Sequence, residues 1–298
     1  MKKIHIALFL IMMVWGFNVS AVKVLVANID PILLTAFRIF IAGISVLVIS
    51  AFLKILRLPT KREIFIIMLI SLFNVVLHHI FISVGLSKTS GVNAGLIAGT
   101  TPLFTMMLSI IFLGNRVTLF RISGFLLGFI GVAITSIAGD GGLASISIGD
   151  IYVLISIIAQ AYSFILIGKL NPTFDPRLLT GYMLVFGSIF IFIVSFFEGS
   201  QITQLTKLWS WDLGLVFLIS AVLATAVGHM LYNFAVKQVG PADSAIFINF
   251  ITLSALLGSA LFLGENILYQ HIIGLVLIVI GVLIGSGAVG YWFGRKRL

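Results

Sequence analysis

The feature that most limits the fold of this chain is a series of apolar runs, each long enough to cross a lipid bilayer. A membrane-spanning helix needs about 20 mostly apolar residues. The 298-residue chain contains ten such runs, at residues 4–26, 31–53, 64–84, 91–113, 120–138, 149–169, 177–197, 212–236, 241–263 and 270–290. Because lipid offers the backbone no hydrogen-bond partners, a spanning segment has to satisfy its own groups, as a helix does. We therefore predict an all-α polytopic membrane protein with ten transmembrane helices.

Composition supports a membrane protein and excludes several other classes. Charged residues make up only 9% of the chain, whereas soluble domains contain about 25%. The net charge of +9 does not indicate nucleic-acid binding, because the basic residues lie in short gaps between the apolar runs. The chain has no cysteine, so disulfides and thiolate chemistry are excluded. We expect no nucleic-acid partner, no cofactor and no bound metal.

The basic residues also predict the orientation of the chain in the membrane. Lysine and arginine are enriched in the cytoplasmic loops of membrane proteins. Of the 18 basic residues, 14 fall on one side of the predicted spans and two, Lys88 and Lys207, on the other, while Lys23 and Arg38 lie inside spans. The even number of spans puts both termini on the basic side. We therefore expect a multi-pass protein of the cytoplasmic (plasma) membrane with both termini in the cytoplasm.

The two halves of the chain resemble each other when one is shifted by 150 residues. Phe112–Gly114 then meets Phe262–Gly264, and His79 meets His229. Near the start of each half, a shift of 145 aligns two Asp-Pro pairs. Matches between apolar residues are common in such a composition, but these matches involve rarer residue types. The chain is therefore predicted to contain an internal repeat.

The number of spans in each repeat predicts how the repeats are related. Each predicted domain, residues 1–138 and residues 149–298, contains five spans. With an odd number, the second copy enters the membrane from the opposite side, so the repeats are inverted. Transporters with inverted repeats bind substrate near the middle of the membrane and expose it alternately to the two sides. A duplicated membrane enzyme is the alternative, and inversion favours transport.

The matched Phe-Leu-Gly stretches end the fourth and ninth predicted spans, and we call them the Phe-Leu-Gly stops. Asn115-Arg116 follows the first stretch, and Glu265-Asn266 follows the second. Inversion puts the first stop in the cytoplasm, where Arg116 agrees with the bias of basic residues, and the second stop outside. We predict that these stops determine topology and packing and do not contact substrate.

Polar side chains within the spans are the candidates for a substrate site. Such groups cost free energy in lipid, so they face the bundle interior, a partner or a water-filled cavity. Asn and Gln can also serve only as hydrogen-bond partners between helices, and Tyr and Trp can anchor span ends. We predict a central cavity with aromatic walls, suited to a small amphipathic solute, that is lined by Trp15, Asn18, Asn74, His78, His79, Gln160, Tyr162, His229, Tyr232 and Asn249.

The positions of the acidic residues restrict ion coupling. All nine acids lie in loops or close to the end of a span. Proton relays in transporters use buried Asp, Glu or His, so proton coupling would fall to histidines, with His79 and His229 as the candidates. Uncoupled exchange and facilitated efflux stay open. Sodium binding by a buried carboxylate is not expected.

Several stretches resemble the EamA domain of the drug/metabolite transporter (DMT) superfamily. They are Trp15–Asn18, Lys23, Arg38, Thr101–Phe104, Phe112–Arg116, Pro241–Ala245 and Leu263–Glu265. The resemblance covers nearly the whole chain as two tandem EamA domains. It implies ten helices, secondary transport of small metabolites, often export of amino acids or related compounds, and structural roles for Lys23 and Arg38. The chain departs from the family pattern at Asn115, where the family usually has Glu.

Two glycine pairs predict close helix packing. Gly124 and Gly128 lie four residues apart in the fifth span, and Gly281 and Gly285 do so in the tenth. Small residues at this spacing let helix backbones approach closely in lipid. We predict structural roles for these glycines, with the two spans packed on each other or on a second protomer. The protein would then be a monomer or a homodimer.

These observations favour a secondary transporter that moves a small organic metabolite by alternating access. The expected solute is an amino acid or a related amphipathic molecule, export is the favoured direction, and membrane lipid is the other partner. A membrane-embedded enzyme or a flippase for a lipid-linked substrate is the alternative. The sequence has no HExxH or GxSxG motif and no Asp-rich cluster, which disfavours catalysis.

Overall fold

The structure is a computed structural model that describes residues 2–114, 118–136, 147–169 and 174–285. Regular structure in these residues is helical, with no strand among them. Seven helical stretches in this part are long and apolar enough to cross a membrane, and three shorter apolar helices accompany them. The prediction of an all-α polytopic membrane protein is confirmed. The count of ten spans stays a prediction, because three of the segments are short.

The first half of the chain forms seven α-helices within its described residues. They are α1 (Lys2–Val26), α2 (Pro31–Phe52), α3 (Lys61–Ser71), α4 (His78–Lys88), α5 (Gly91–Ala98), α6 (Thr101–Leu113) and α7 (Leu119–Ser136). A π-helical segment, Leu72–Leu77, joins α3 to α4. The third predicted span is therefore one continuous helical stretch with a wider turn inside it.

The second half also forms seven α-helices within its described residues. They are α8 (Ile148–Gly168), α9 (Pro176–Phe197), α10 (Trp211–Leu218), α11 (Gly228–Val239), α12 (Pro241–Ala245), α13 (Asn249–Leu263) and α14 (Tyr269–Gly285). A second π-helical segment, Ile219–Val227, joins α10 to α11. Two 3₁₀ segments, Ile202–Trp209 and Ile246–Ile248, precede α10 and α13.

Matching helices of the two halves begin and end in the same way. Asp30 starts α2 by accepting hydrogen bonds from the N–H groups of residues 32 and 33, and Asp175 starts α9 through the N–H of residue 177. A proline follows each Asp, in the first helical turn where its missing N–H costs nothing. Gly114 and Gly264 end α6 and α13 with φ of 67° and 66°, in the left-handed region that favours glycine.

Helices α2 and α9 occupy matching positions in the two halves, and they pack against each other. A Cβ added to Gly43 would lie 2.8 Å from Val185 N, and one added to Gly181 would lie 2.7 Å from Leu47 Cδ2. Residue numbers therefore rise along one helix as they fall along the other. The pair is antiparallel.

Helices α5 and α13 belong to the fourth and ninth predicted spans, which match in the repeat, and they pack in the same way. A Cβ at Gly91 would lie 2.4 Å from Ser259 Oγ, and one at Gly95 would lie 2.3 Å from Ala255 Cβ. This pair is also antiparallel.

The predicted glycine contact joins α7 and α14. A Cβ at Gly281 would lie 2.6 Å from Gly124 O and 2.8 Å from Gly128 N, and one at Gly131 would lie 2.8 Å from Gly274 O. The two backbones touch, so of the two predicted arrangements the structure shows these helices packed on each other, again antiparallel. Gly285 is the last residue of α14.

Candidate substrate site

Two π-helical segments lie directly before the buried histidines. One precedes His78 and His79, and the other precedes Gly228 and His229. A π-helical turn widens the helix and often marks a functional site. Nothing in the apolar sequence of these segments indicates a π turn, so the sequence did not predict them.

The two histidines that match in the repeat lie in contact at the centre of the bundle. The ring centroids of His79 and His229 are 5.4 Å apart. Trp15 from α1 lies 4.8 Å from the His229 ring and 5.2 Å from the Tyr232 ring. All four side chains are buried. We call Trp15, His79, His229 and Tyr232 the central cluster.

The second π-helical segment fixes Trp15 in this cluster. Its indole Nε1–H donates a hydrogen bond to Ala224 O at 2.8 Å, within the segment. Gly228 leaves room for the indole, because a Cβ there would lie 2.5 Å from Nε1. The orientation of Trp15 thus depends on the second repeat, although α1 belongs to the first.

A ladder of hydrogen bonds joins the third predicted span to α8. Asn74 Nδ2 donates to Ser163 Oγ at 2.7 Å. Gln160 Nε2 lies 2.9 Å from His78 Nε2, and Ser156 Oγ lies 2.7 Å from His78 Nδ1. When the Gln160 amide donates to Nε2, the His78 proton sits on Nδ1 and points at Ser156. His78 is therefore held by α8 through both of its nitrogens.

Several buried polar atoms around the cluster have no hydrogen-bond partner among the described residues. They are His79 Nε2, His229 Nδ1, Tyr232 OH, Asn74 Oδ1 and Asn233 Oδ1. An unpaired buried polar group costs about 1–3 kcal/mol, and such groups in a folded protein need an explanation. A solute that offers donors and acceptors could satisfy them. Thus, within the described structure, His79 and His229 each keep one unpaired ring nitrogen, unlike His78.

Arg38 and Lys23 both bind other helices. Arg38 is 2% exposed, and its guanidinium donates to Thr225 Oγ1 at 2.8 Å and Ser220 Oγ at 3.5 Å in the second π-helical segment. Lys23 Nζ donates to the carbonyl oxygens of Leu86, at 2.7 Å, and Thr89 at the end of α4. These contacts give Arg38 and Lys23 packing partners.

Three predicted lining residues lie outside both the central cluster and the hydrogen-bond ladder. Tyr162 packs against Phe73 and Phe112, with ring centroids 4.7 and 4.9 Å away. Asn18 is partly buried on α1. Asn249 begins α13 next to Phe250, which packs against Phe9 of α1. The ring contacts of the cluster do not include these three side chains.

Two matching hydrogen bonds were missed in the sequence. Thr35 Oγ1 donates to Ser83 Oγ at 2.6 Å, and Asn233 Nδ2 donates to Thr180 Oγ1 at 2.9 Å. The shifts of 145 and 150 align Thr35 with Thr180 and Ser83 with Asn233. Each bond ties α2 or α9 to the helix that carries a cluster histidine. The aligned threonines were the signal that could have revealed them.

A second polar region lies on the face that the sequence predicts to be outside. A surface cavity of about 780 Å³ there is lined by residues that include Lys23, Asn93, Glu265 and His271. No group of three or more His, Asp or Glu side chains within the described residues could hold a metal ion. The cavity is thus a polar recess at the surface, lined by residues at the ends of helices.

Comparisons with known proteins cover almost the whole chain. Residues 2–137 and 147–286 match the model of the EamA-like transporter family. The uncharacterized transporter YetK of Bacillus subtilis is 24% identical over 94% of this chain and 86% of its own. The uncharacterized transporter YvbV of the same organism is 28% identical over 92% of this chain and 88% of its own. A WAT1-related chloroplastic protein of Arabidopsis thaliana is 24% identical over 90% of this chain and 66% of its own.

A solved protein structure has a similar fold. It superposes with a TM-score of 0.65 and covers 96% of this chain and 98% of that chain. The two sequences are 17% identical. At that identity the likeness shows the fold alone.

Proposed function

Since this chain belongs to the EamA-like transporter family, we propose that it moves a small organic solute across the membrane through the central cluster by alternating access. The resemblance read from the sequence is confirmed, and the protein is an integral multi-pass membrane transporter. The observation that carries the proposal is the buried contact between His79 and His229, with ring centroids 5.4 Å apart. It puts matching residues of the two halves at one point inside the bundle.

The chemistry of this point favours an amphipathic solute. Trp15 and Tyr232 supply aromatic surface, while His79 and His229 supply ring nitrogens with no partner in the described structure. Sites for small organic molecules are mostly apolar and carry a few polar groups that fix orientation. An amino acid or a related metabolite has this combination of groups. We infer this solute class from the site and from the family's function.

We also propose that the halves are inverted repeats, residues 1–138 and 149–298. The antiparallel packing of α2 with α9 and of α7 with α14 supports this relation, as does that of α5 with α13 from the matching fourth and ninth spans, because inversion requires matching spans to run in opposite directions. Alternating access in such transporters is largely a rocking of one repeat against the other around a fixed site. The central cluster lies between the repeats and so could serve as that site.

We further propose that the protein lies in the plasma membrane with both termini in the cytoplasm. Export is the favoured direction of transport. The topology can be tested with reporter fusions at the C-terminus, one fluorescent only in the cytoplasm and one active only outside. A C-terminal reporter that is active only outside would contradict the topology. The protein is proposed to work as a monomer, since α7 and α14 already cover each other's glycines.

Counterflow in proteoliposomes tests the transport proposal. Purified protein is reconstituted with unlabelled amino acids or related metabolites inside, and uptake of the labelled solute is followed. We expect exchange with at least one solute and its loss in His79→Ala. The matched control is His5→Ala, an exposed histidine at the start of α1, which should keep exchange. If no solute exchanged while the protein turned over a lipid-linked substrate, the alternative of an enzyme or flippase would replace this proposal.

A further inference from the structure

A carboxylate on the predicted outer face joins helices from different repeats. Glu265 follows α13 of the second repeat, and its two carboxylate oxygens accept hydrogen bonds from the backbone N–H groups of Gly91 and Val92, both at 2.8 Å. These are the first two residues of α5 in the first repeat. The first N–H groups of a helix have no partner within it, and they carry the positive end of its dipole. Glu265 satisfies both groups with a negative charge.

The Phe-Leu-Gly stop places this carboxylate. The helix α13 ends at Gly264, and the N–H of Glu265 turns back to Ser259 O at 3.1 Å. The close approach depends on Gly91, since a Cβ there would lie 2.4 Å from Ser259 Oγ and 3.0 Å from Leu263 Cδ1. The stop therefore brings the end of the ninth span onto the start of the fourth.

The residue types at the matching positions cannot form the same contact. A shift of 150 aligns Glu265 with Asn115 and Gly91 with Pro241. Proline has no backbone N–H, and an asparagine offers one neutral carbonyl oxygen in place of two charged ones. Asn115 itself lies outside the described residues. At these matching positions, residue chemistry therefore does not allow the pair of charge-assisted bonds that Glu265 makes.

The contact borders the polar cavity of about 780 Å³, whose lining includes Glu265, Lys23 and Asn93. Lys23 is bound to carbonyl oxygens at the end of α4. Glu265 is partly exposed, whereas Val92 is 1% exposed. The contact thus lies at the border between the exposed cavity and the buried interior, with Val92 on the buried side.

We propose that Glu265 is the positioning residue of a gate on the outer face. It holds the start of the fourth span against the end of the ninth and favours the conformation that is closed there. Opening that face separates the two repeats and breaks both hydrogen bonds. Because the residue types at the matching positions, Asn115 and Pro241, cannot form the same pair of bonds, the resting protein is biased toward access from the cytoplasm, the side on which an exporter loads. The inference rests on the alternating access proposed above.

The absence of cysteine from the sequence allows a direct test with single introduced thiols. Val92→Cys reports on the outer face, and the 1% exposed Ala245 of α12, as Ala245→Cys, reports on the cytoplasmic face. A membrane-impermeant maleimide is applied to right-side-out vesicles for the first and to inside-out vesicles for the second. Adding Glu265→Gln should raise the labelling rate of the thiol at position 92 about tenfold and lower that of the thiol at position 245, a shift of about 1.4 kcal/mol in the conformational equilibrium.

The matched control is Glu198→Gln, which neutralises an exposed carboxylate at the end of α9 on the same predicted face. It should leave both labelling rates unchanged. Glu265→Asn, which copies the residue of the first repeat, should act like Glu265→Gln. Size-exclusion profiles of all variants show that the labelled protein is folded.

Two results would overturn the gate. One is equal labelling at position 92 with and without Glu265→Gln. The other is faster labelling at position 92 with no decrease at position 245, which would mean local fraying of α5 and no change between two states. Labelling reports conformation and not transport. If Glu265→Gln changed the labelling rates as expected but no solute showed counterflow, the proposed function would fail and the gating contact would remain.

Discussion

Replacing Trp15 by Phe separates the hydrogen bond of this side chain from its ring packing. The indole N–H donates to Ala224 O at 2.8 Å. The ring itself lies 4.8 and 5.2 Å from the rings of His229 and Tyr232. Phe keeps an aromatic ring in this place but cannot donate, whereas Ala loses both interactions. The pair of variants therefore measures what holds α1 against the second repeat.

The structure predicts effects of clearly different size for the two variants. A neutral hydrogen bond contributes about 0.5–1.5 kcal/mol net, while truncation of a buried Trp to Ala costs about 3–5 kcal/mol. Trp15 is 9% exposed, so nearly the whole packing term applies. With roughly 2–4 °C of Tm for each kcal/mol, Trp15→Phe should lower the apparent Tm by about 1–6 °C. Trp15→Ala should lower it by about 6–20 °C.

The measurement is the apparent Tm of detergent-solubilised protein, followed by loss of the size-exclusion peak after heating. Trp209→Phe is the matched control, because Trp209 is 89% exposed in the 3₁₀ segment before α10. It should not change the apparent Tm. Equal losses in Trp15→Phe and Trp15→Ala would refute the reasoning, since ring packing would then contribute nothing. An unchanged Tm in Trp15→Ala would refute it as well.

Three further substitutions test the packing, the buried charge and the coupling. Gly281→Ala should cost about 1–3 kcal/mol, because its Cβ would lie 2.6 Å from Gly124 O, and the same heating assay measures this. Arg38→Met should keep or raise the apparent Tm, since no acid among the described residues neutralises this buried guanidinium and buried charges replaced by apolar groups are often neutral or stabilising. If proton coupling runs through His79, a candidate from the sequence, His79→Gln should abolish solute accumulation driven by a pH gradient; counterflow should persist, because Gln, unlike Ala, keeps a polar side chain for the solute.

Each of these has a control and a contrary outcome. Ile280→Ala removes a lipid-facing side chain, 41% exposed, from the same helix as Gly281 and should leave the Tm unchanged. Arg38→Ala, which leaves a cavity, should lower the Tm, and an equal fall in Arg38→Met would show that the charge itself stabilises the fold. His5→Gln should keep gradient-driven accumulation. Accumulation that survives in His79→Gln would assign the coupling elsewhere.

Much of the architecture could be predicted from hydropathy and charge, because lipid imposes length and polarity on each span. The buried polar residues were also recognisable, since Asn74, His78 and Gln160 are unusual in apolar runs. The sequence did not show which of these polar residues lie in the central cluster and which bind a neighbouring helix. Only the structure shows that α8 holds both nitrogens of His78, and that Tyr162 packs with Phe73 and Phe112 away from the cluster.

The π-helical segments explain part of what sequence reasoning could not reach. A π turn changes which side chains share a face, and the apolar residues of Ile219–Val227 carry no signal for it. Spacing rules for an α-helix separate His78 from His79 by about 100°. In the structure both rings are buried, with centroids 4.7 Å apart. The two rings still have different partners, His78 on α8 and His79 on His229, so both are buried although they point in different directions.

The differences between the repeats carry as much information as their likeness. Thr35 with Ser83 and Thr180 with Asn233 make the same contact with different residues, so position is kept while chemistry varies. At other aligned positions the charge of the side chain differs, as with buried Arg38 against Met183 or Glu265 against Asn115. The two halves of the protein are unequal at these positions. A transporter built from two identical inverted halves would favour neither side of the membrane. The unequal pairs are therefore the positions at which a preferred direction can arise, and exchanging residues between them should shift that preference before it affects the fold.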